Sequence, residues 1–179
     1  TLPNPENFGD RIVAQSTKIY DRTGETLLYE IHGSEKRTIL ALNEIPDYVK
    51  EAILSIEDAE FYNHPAFDWR GILRAFITNL KTGKFTQGGS TITQQLVKNA
   101  FLTNEKTITR KIKEVILAIK MENNYSKDEV FGLYLNQVPF GSNAYGIQAA
   151  SQNYFGKDAK DLTLAESATL AAMLKAPSY

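Results

Sequence analysis

The stretch "QGGSTITQQLVKN", residues 87–99, combines a glycine-led turn with an unusually polar helix. Its two glycines allow a close approach of the backbone to a ligand, and Ser90 is predicted to cap the helix that follows. The free N–H groups at such a helix start attract anions. Amides such as Gln95 suit sugar hydroxyls and acyl oxygens, whereas Lys98 suits a phosphate. The competing interpretation is an ordinary capped amphipathic helix with a polar outer face.

A second polar stretch, "LSIEDAEFYNHPAFD", covers residues 54–68 and places acids among aromatic side chains. Glu57 lies one step around the predicted helix from Ile53 and Ile56, in the last turn before a loop. A carboxylate at that place can face a cleft and act as a general acid or base. Asp58 and Glu60 point elsewhere on the helix. The alternative is a polar helix end with no chemical role.

A third stretch, "RKIKEVILAIK" at residues 110–120, surrounds one acid with cations. Arg110, Lys113 and Glu114 share a helix face with Lys106 one turn earlier. Glu114 can organise these cations around a pyrophosphate or bind a hard cation, and it can equally form an i,i+4 ion pair with Arg110. Residues 81–120 carry eight basic and two acidic side chains, a local charge of +6 in a chain of net charge −1. This field favours an anionic ligand or a membrane surface, unless it is only a solvated helix face.

The rest of the chain predicts a mainly α domain with a small β piece near its start. Residues 1–15 are patternless, and two short strands follow around a turn at Arg22–Gly24. Helices are predicted from Pro46 to about Glu60, from Asp68 to Gly83, after Ser90, and after Thr107. The last of these presents one row of apolar residues, namely Ile108, Ile112, Val115, Ile116 and Ile119.

Three further helices are marked by local signals. Capping boxes at Ser126–Glu129 and Thr163–Glu166 each begin one, and Gly156 ends the helix between them. The apolar face of the helix "VFGLYLN" is interpreted as structural.

Composition excludes several classes of protein. The 179 residues, 42% hydrophobic and 23% charged, describe a soluble globular domain. With no cysteine and only two histidines, the chain offers no disulfide, no thiolate metal site and no HExxH motif. No run of about 18 apolar residues predicts a membrane span. The basic segment lacks any nucleic-acid-binding motif, so no nucleic acid partner is predicted.

Taken in order, these stretches resemble the motifs of the peptidoglycan glycosyltransferases. This is glycosyltransferase family 51, the module of class A penicillin-binding proteins and monofunctional transglycosylases. Further matches are "KDEVFGLYLNQVPFG", "AYGIQAASQNYFGK" and "LTLAESATLAAMLKAPSY", so that the resemblance covers residues 36–179. It implies a mainly α, lysozyme-like fold with a small membrane-leaning jaw subdomain.

The resemblance also implies an activity and its setting. Such an enzyme polymerises lipid II into glycan strands by inverting transfer, forming β-1,4 links and releasing undecaprenyl pyrophosphate. The implied partners are lipid II, the growing glycan chain, the membrane surface and other cell-wall synthesis proteins. The implied location is the cell envelope, at the outer face of the bacterial cytoplasmic membrane. A lysozyme-like hydrolase and a non-catalytic lipid II-binding module are the alternatives, which product analysis and a Glu57→Gln variant would separate.

Site residues carry over from the family motif by motif. Glu57 matches the general base, and Glu114 matches the acid that steadies the pyrophosphate region. No cofactor is required by the resemblance; a divalent cation, Mg²⁺ or Mn²⁺ at Glu114, is the one candidate. The matched substrate-binding residues are Asp58, Phe61, His64, Ser90, Thr91, Gln95, Lys98, Lys106, Arg110 and Lys111.

The sequence departs from the family pattern at two of its positions. Ala66 stands where a glycine is usual, and Lys106 stands where an arginine is frequent, which loses bidentate phosphate geometry. The predicted organisation is a linker and β hairpin at residues 1–35, following a membrane anchor absent from this sequence. Residues 36–179 form the glycosyltransferase domain, with its C-terminal end expected to be truncated.

Overall fold

The computed structural model of the chain describes residues 17–23, 25, 27–31, 39–68, 89–102 and 107–175. Strands β1 (Thr17–Tyr20) and β2 (Leu27–Ile31) pair antiparallel, with a register irregularity after Ile19. Apart from an isolated antiparallel bridge between Pro139 and Tyr145, everything else that is regular within these ranges is helical. The prediction of a mainly α fold with a short β piece is therefore confirmed. The patternless segment 1–15 and nearly all of the predicted helix from Asp68 to Gly83 lie outside the described residues.

The described α-helices follow the predicted order, with bounds set by local capping signals. They are α1 (Asp47–Glu57), α2 (Ile92–Phe101), α3 (Ile108–Asn124), α4 (Lys127–Gln137), α5 (Ile147–Phe155) and α6 (Leu164–Lys175). Short 3₁₀ turns occupy Leu42–Glu44 and Ala159–Asp161.

Helix caps show how local sequence fixes these bounds. Both predicted capping boxes are present: the Glu129 carboxylate accepts from the Ser126 N–H and hydroxyl, and Glu166 accepts likewise from Thr163. Gly156 ends α5 in the left-handed region, with φ of +68°. These caps need only neighbours within a few residues, which explains why sequence predicts them.

The chain divides into two compact units, and the described residues of the first are 57–68, 89–102 and 107–134. Its core joins apolar side chains of α2 and α3, which pack against each other, to an aromatic cluster. In that cluster Phe61 lies 5.8 Å from Phe131 and Phe131 stacks at 6.5 Å on Tyr134, measured between ring centroids. The other fully buried side chains include Leu96, Val97, Leu117 and Met121.

The apolar row predicted for α3 is not its buried face. Ile108, Ile112, Ile116 and Ile119 are 82%, 56%, 38% and 46% exposed. The buried row lies on nearly the opposite side of the helix, and it comprises Glu114, Leu117, Ala118 and Met121. The isoleucines were predicted from hydrophobicity alone. The face that is buried is instead the one that packs against α2 and carries the ion pairs of Glu114.

The second unit combines Asp10–Ile56 with Leu135–Tyr179. Its Asn136 side chain holds Leu40 by two backbone hydrogen bonds, both of 2.9 Å. Gly146, at φ of +83°, lies so close to Asn136 that an added Cβ would stand 2.5 Å from the Asn136 carbonyl oxygen. Glycine is required there for both conformation and space.

Candidate active site

Glu57 is the last residue of α1, and its half-buried side chain meets the side of α2. Gln95 donates its Nε2–H to Glu57 Oε2 at 2.7 Å. In the part of the chain that the structure describes, no hydrogen bond reaches the other oxygen, Oε1. The glutamate is thus held by one oxygen while the other is available to accept a proton, as a general base requires.

Asp58 and His64 form a pair beside Glu57. His64 Nε2 lies 2.6 Å from Asp58 Oδ1, and His64 Nδ1 lies 2.7 Å from the Pro65 carbonyl oxygen. Both oxygens only accept, and a neutral imidazole donates at one nitrogen only, so this geometry favours the imidazolium. Burial lowers the pKa of His64, but its hydrogen bonds to Asp58 and Pro65 outweigh that effect and raise the pKa above the ordinary value.

The second oxygen of Asp58 connects this pair to α2. Asp58 Oδ2 accepts the backbone N–H of Ile92, the first residue of α2, at 3.1 Å. A carboxylate at a helix N-terminus satisfies a free N–H and complements the helix dipole. Both Asp58 oxygens are therefore engaged, and the residue fixes the start of α2 relative to Glu57 rather than presenting a free group to substrate.

Phe61 is fully buried, so direct substrate contact by this predicted substrate-binding residue is not supported. Its ring meets that of His64 edge-on at 6.4 Å between centroids, and the Lys127 ammonium lies 4.4 Å from its centre. Lys127 also pairs at 2.9 Å with Glu122, which accepts a hydrogen bond from buried Thr93. This support beneath the site was missed in the sequence because its members lie far apart along the chain.

Thr91, not Ser90, caps α2. The Thr91 hydroxyl oxygen accepts the Gln94 N–H at 3.2 Å, and the hydroxyl donates to the Ala66 carbonyl at 2.9 Å. The prediction of a Ser90 cap is wrong by one residue, because both side chains suit the role and only the fold selects between them. Thr91 is 3% exposed, so it too serves as a support rather than as a substrate contact. Ala66, the departure from glycine, is itself 3% exposed and its carbonyl completes this support.

Lys111 connects the start of α2 to α3. Its ammonium donates to Ser90 Oγ at 2.8 Å, to Gln94 Oε1 at 2.9 Å and to Glu114 Oε2 at 2.9 Å. These contacts use the three donors of an ammonium group. Lys111 and Ser90, both predicted to bind substrate, are thus engaged with each other here.

Glu114 is 2% exposed and lies between two cations. Arg110 Nε stands 3.2 Å from Glu114 Oε1, so the predicted i,i+4 ion pair is present. The alignment is not that of a hydrogen bond, and both buried atoms keep unused hydrogen-bonding capacity. Burial makes this a pair whose members depend on each other, since a lone buried charge is costly.

The donor set around Glu114 does not fit a resident divalent cation. Its two oxygens face the Arg110 guanidinium and the Lys111 ammonium, which would repel a metal ion. Across the ranges described above, no group of three or more His, Cys, Asp or Glu side chains is placed to hold a metal. The candidate Mg²⁺ or Mn²⁺ therefore has no ligand set among these residues.

Of the two remaining predicted site residues, Lys98 is half-buried in the last turn of α2, and Lys106 lies outside the described residues.

The structure brings Glu57, Asp58, His64 and Gln95 together in the first unit. It adds Tyr134, which lies on the helix face interpreted above as structural and whose hydroxyl donates to Gln95 Oε1 at 3.3 Å. The one available signal was a hydroxyl on an otherwise apolar face.

Among the described helices, none has the length and apolar character needed to cross a membrane.

Comparison with known proteins identifies the family of the chain. The Transglycosylase family matches residues 24–179. Penicillin-binding protein 1A of Aquifex aeolicus is 46% identical over 99% of the chain, and penicillin-binding protein 1F of Bacillus subtilis is 50% identical over 93% of it. The chain spans only 24% and 23% of those two proteins. A crystal structure of penicillin-binding protein 1A from Haemophilus influenzae is 23% identical over 92% of the chain and 15% of that protein, with a TM-score of 0.41.

Proposed function

The chain belongs to the transglycosylase family of peptidoglycan glycosyltransferases, as its motifs predicted, and we propose that it polymerises lipid II into glycan strands. The growing glycan is the donor, and the 4-hydroxyl of an incoming lipid II is the acceptor. Transfer forms a β-1,4 link with inversion and releases undecaprenyl pyrophosphate. The observation that carries this proposal is the Glu57 carboxylate, which Gln95 holds through Oε2 and whose Oε1 accepts no hydrogen bond from the residues that the structure describes.

Glu57 is the general base in this proposal. An inverting transfer in one displacement needs a base to take the acceptor proton and a leaving group that departs readily. Glu57 Oε1 takes that proton as the hydroxyl oxygen attacks the anomeric carbon of the donor, while the bond to pyrophosphate breaks. Pyrophosphate is a good leaving group, so the site needs no second carboxylic acid to protonate it.

Cations of the stretches 87–99 and 110–120 hold the pyrophosphate in this proposal. Arg110 has a buried Nε with unused hydrogen-bonding capacity, and Lys98 lies half-buried on α2. Lys111 binds the pyrophosphate only if its ammonium exchanges one of its three present hydrogen bonds for one to a phosphate oxygen. Glu114 keeps Arg110 and Lys111 in place, so we assign it an organising role.

We further propose that the domain works at the outer face of the cytoplasmic membrane, where its lipid-linked substrate resides. The exposed isoleucine row of α3 supports this placement, because it offers apolar side chains to an interface. Lys113 and Lys120, both exposed on the same helix, suit anionic headgroups. The growing glycan and other cell-wall synthesis proteins are the remaining proposed partners.

Product analysis tests the reaction type. Wild-type protein is incubated with labelled lipid II in one reaction and with finished peptidoglycan in another. We expect long glycan strands from lipid II and no soluble fragments from peptidoglycan. Cleavage of finished strands without polymerisation would instead identify a lysozyme-like hydrolase, and binding of lipid II without either product would identify a non-catalytic module.

A further inference from the structure

Three side chains from three helices form one hydrogen-bonded row that ends at the proposed base. The Tyr134 hydroxyl on α4 donates to Gln95 Oε1 at 3.3 Å, and Gln95 Nε2 on α2 donates to Glu57 Oε2 at 2.7 Å. Tyr134 is fully buried, at 0% exposure. A buried hydroxyl that lacks a partner is costly, so this contact is built into the packing of the unit.

The orientation of the Gln95 amide decides whether Glu57 is held or repelled. A carboxamide has a donating end and an accepting end, whereas an ionised carboxylate only accepts. If the amide were reversed, Gln95 Oε1 would face Glu57 Oε2, which places two acceptors against each other. The amide therefore serves the base in one orientation only, and a donor at its oxygen end favours that orientation.

We propose that Tyr134 is a positioning residue for glycosyl transfer, whose hydroxyl fixes the Gln95 amide so that it donates to Glu57 Oε2 and leaves Oε1 for the acceptor proton. This inference rests on the proposed function of Glu57. Tyr134 touches no reacting atom and acts only through Gln95.

Two features make Tyr134 suited to this role. Its ring stacks on Phe131 with 6.5 Å between centroids and 16° between planes, which limits where its hydroxyl can point. Burial, with the nearby charges of Glu57 and Asp58, raises the pKa of Tyr134 above its ordinary value. The hydroxyl therefore stays protonated, and remains a donor, at any pH at which the protein works.

The test is a double-mutant cycle in the full-length protein, with lipid II as substrate. Tyr134→Phe keeps the ring and removes the hydroxyl, and Gln95→Ala removes the amide. We expect Tyr134→Phe to lower kcat about threefold to tenfold, the range of one neutral hydrogen bond, with KM changed less than about twofold. In the Gln95→Ala background, Tyr134→Phe should have no further effect on kcat. Tyr154→Phe is the matched control, since it removes a phenol hydroxyl bonded to the Phe140 carbonyl in the other unit and should leave kcat unchanged.

The outcomes separate this inference from the proposed function. A lower melting temperature of Tyr134→Phe with unchanged kcat, or equal losses of kcat in both backgrounds, would overturn the role of Tyr134. An active Glu57→Gln enzyme would instead overturn the base assignment. If Tyr134→Phe fails to fold, the side-chain amide of Gln95 is followed by NMR in the wild-type protein. One fixed amide with a hydrogen-bonded proton is expected there, and a rotationally averaged amide would overturn the inference.

Discussion

The cap of α2 gives a prediction whose size follows from two hydrogen bonds of Thr91. Thr91→Val keeps the shape of the side chain and removes its oxygen. The Gln94 N–H loses its partner at a residue with 0% exposure, and the Ala66 carbonyl loses its 2.9 Å donor. Loss of an N-cap costs about 0.5–2 kcal/mol, and a further buried hydrogen bond costs about 1 kcal/mol. We expect the free energy of unfolding to fall by about 1.5–3 kcal/mol.

Two control variants separate the loss of the buried Thr91 cap from the loss of an exposed cap and of a neighbouring hydroxyl. Thr107→Val removes the same kind of cap from α3, where one exposed contact of 3.1 Å to the Arg110 N–H is lost, and should cost about 0.5–1 kcal/mol. Ser90→Ala removes one acceptor of Lys111 and should cost about 1 kcal/mol or less.

Urea unfolding followed by far-UV circular dichroism gives the three free energies, provided that the slope with denaturant is unchanged. If Thr91→Val cost no more than Thr107→Val, or if Ser90→Ala cost more than Thr91→Val, the assignment of Thr91 as the buried cap would be refuted.

Three further predictions concern charge and backbone. Because the folded pKa of His64 is raised, its contribution to stability should be complete below about pH 6.5 and fade as pH rises through the folded value; an NMR titration giving a value below 6.5 would contradict this. Gly156→Ala, where the added methyl has open space, should lower the free energy of unfolding by ~1 kcal/mol. Gly146→Ala should lower it several times more, because the added methyl meets the Asn136 carbonyl; equal melting temperatures of the two variants would refute that contact. Glu114→Gln should reduce lipid II turnover strongly by leaving two cations without their shared partner; an unaffected initial rate would reduce Glu114 to a structural ion pair.

Sequence predicted those features of the fold that depend on near neighbours. The two capping boxes and the Gly156 helix end were predicted because each involves residues within four positions of one another. The isoleucine row of α3 was predicted as an apolar face, but its exposure was not predicted, because burial depends on what packs against a helix and a helical wheel contains no such information. The Ser90 cap failed for a related reason, since the choice of Thr91 depends on a carbonyl at Ala66.

The candidate site divides in the same way. Glu57 was identified by its place at a helix end and by its motif, and the Arg110–Glu114 pair by its i,i+4 spacing. Tyr134 was not identified, because its partner Gln95 lies 39 residues away and the contact exists only after three helices pack together. The Tyr134 hydroxyl itself can be seen in the sequence, but nothing near it in the sequence indicates which distant residue it will contact.

The central claim is that Glu57 accepts the proton of the acceptor hydroxyl. Glu57→Gln tests it most directly, since a glutamine oxygen can still accept from Gln95 Nε2 while the side chain can no longer take up a proton. The measurement is the rate of glycan strand formation from labelled lipid II, with lipid II binding measured in parallel. We expect strand formation to be abolished and lipid II binding to be largely retained; strand formation at a near-normal rate would show that Glu57 is not the base.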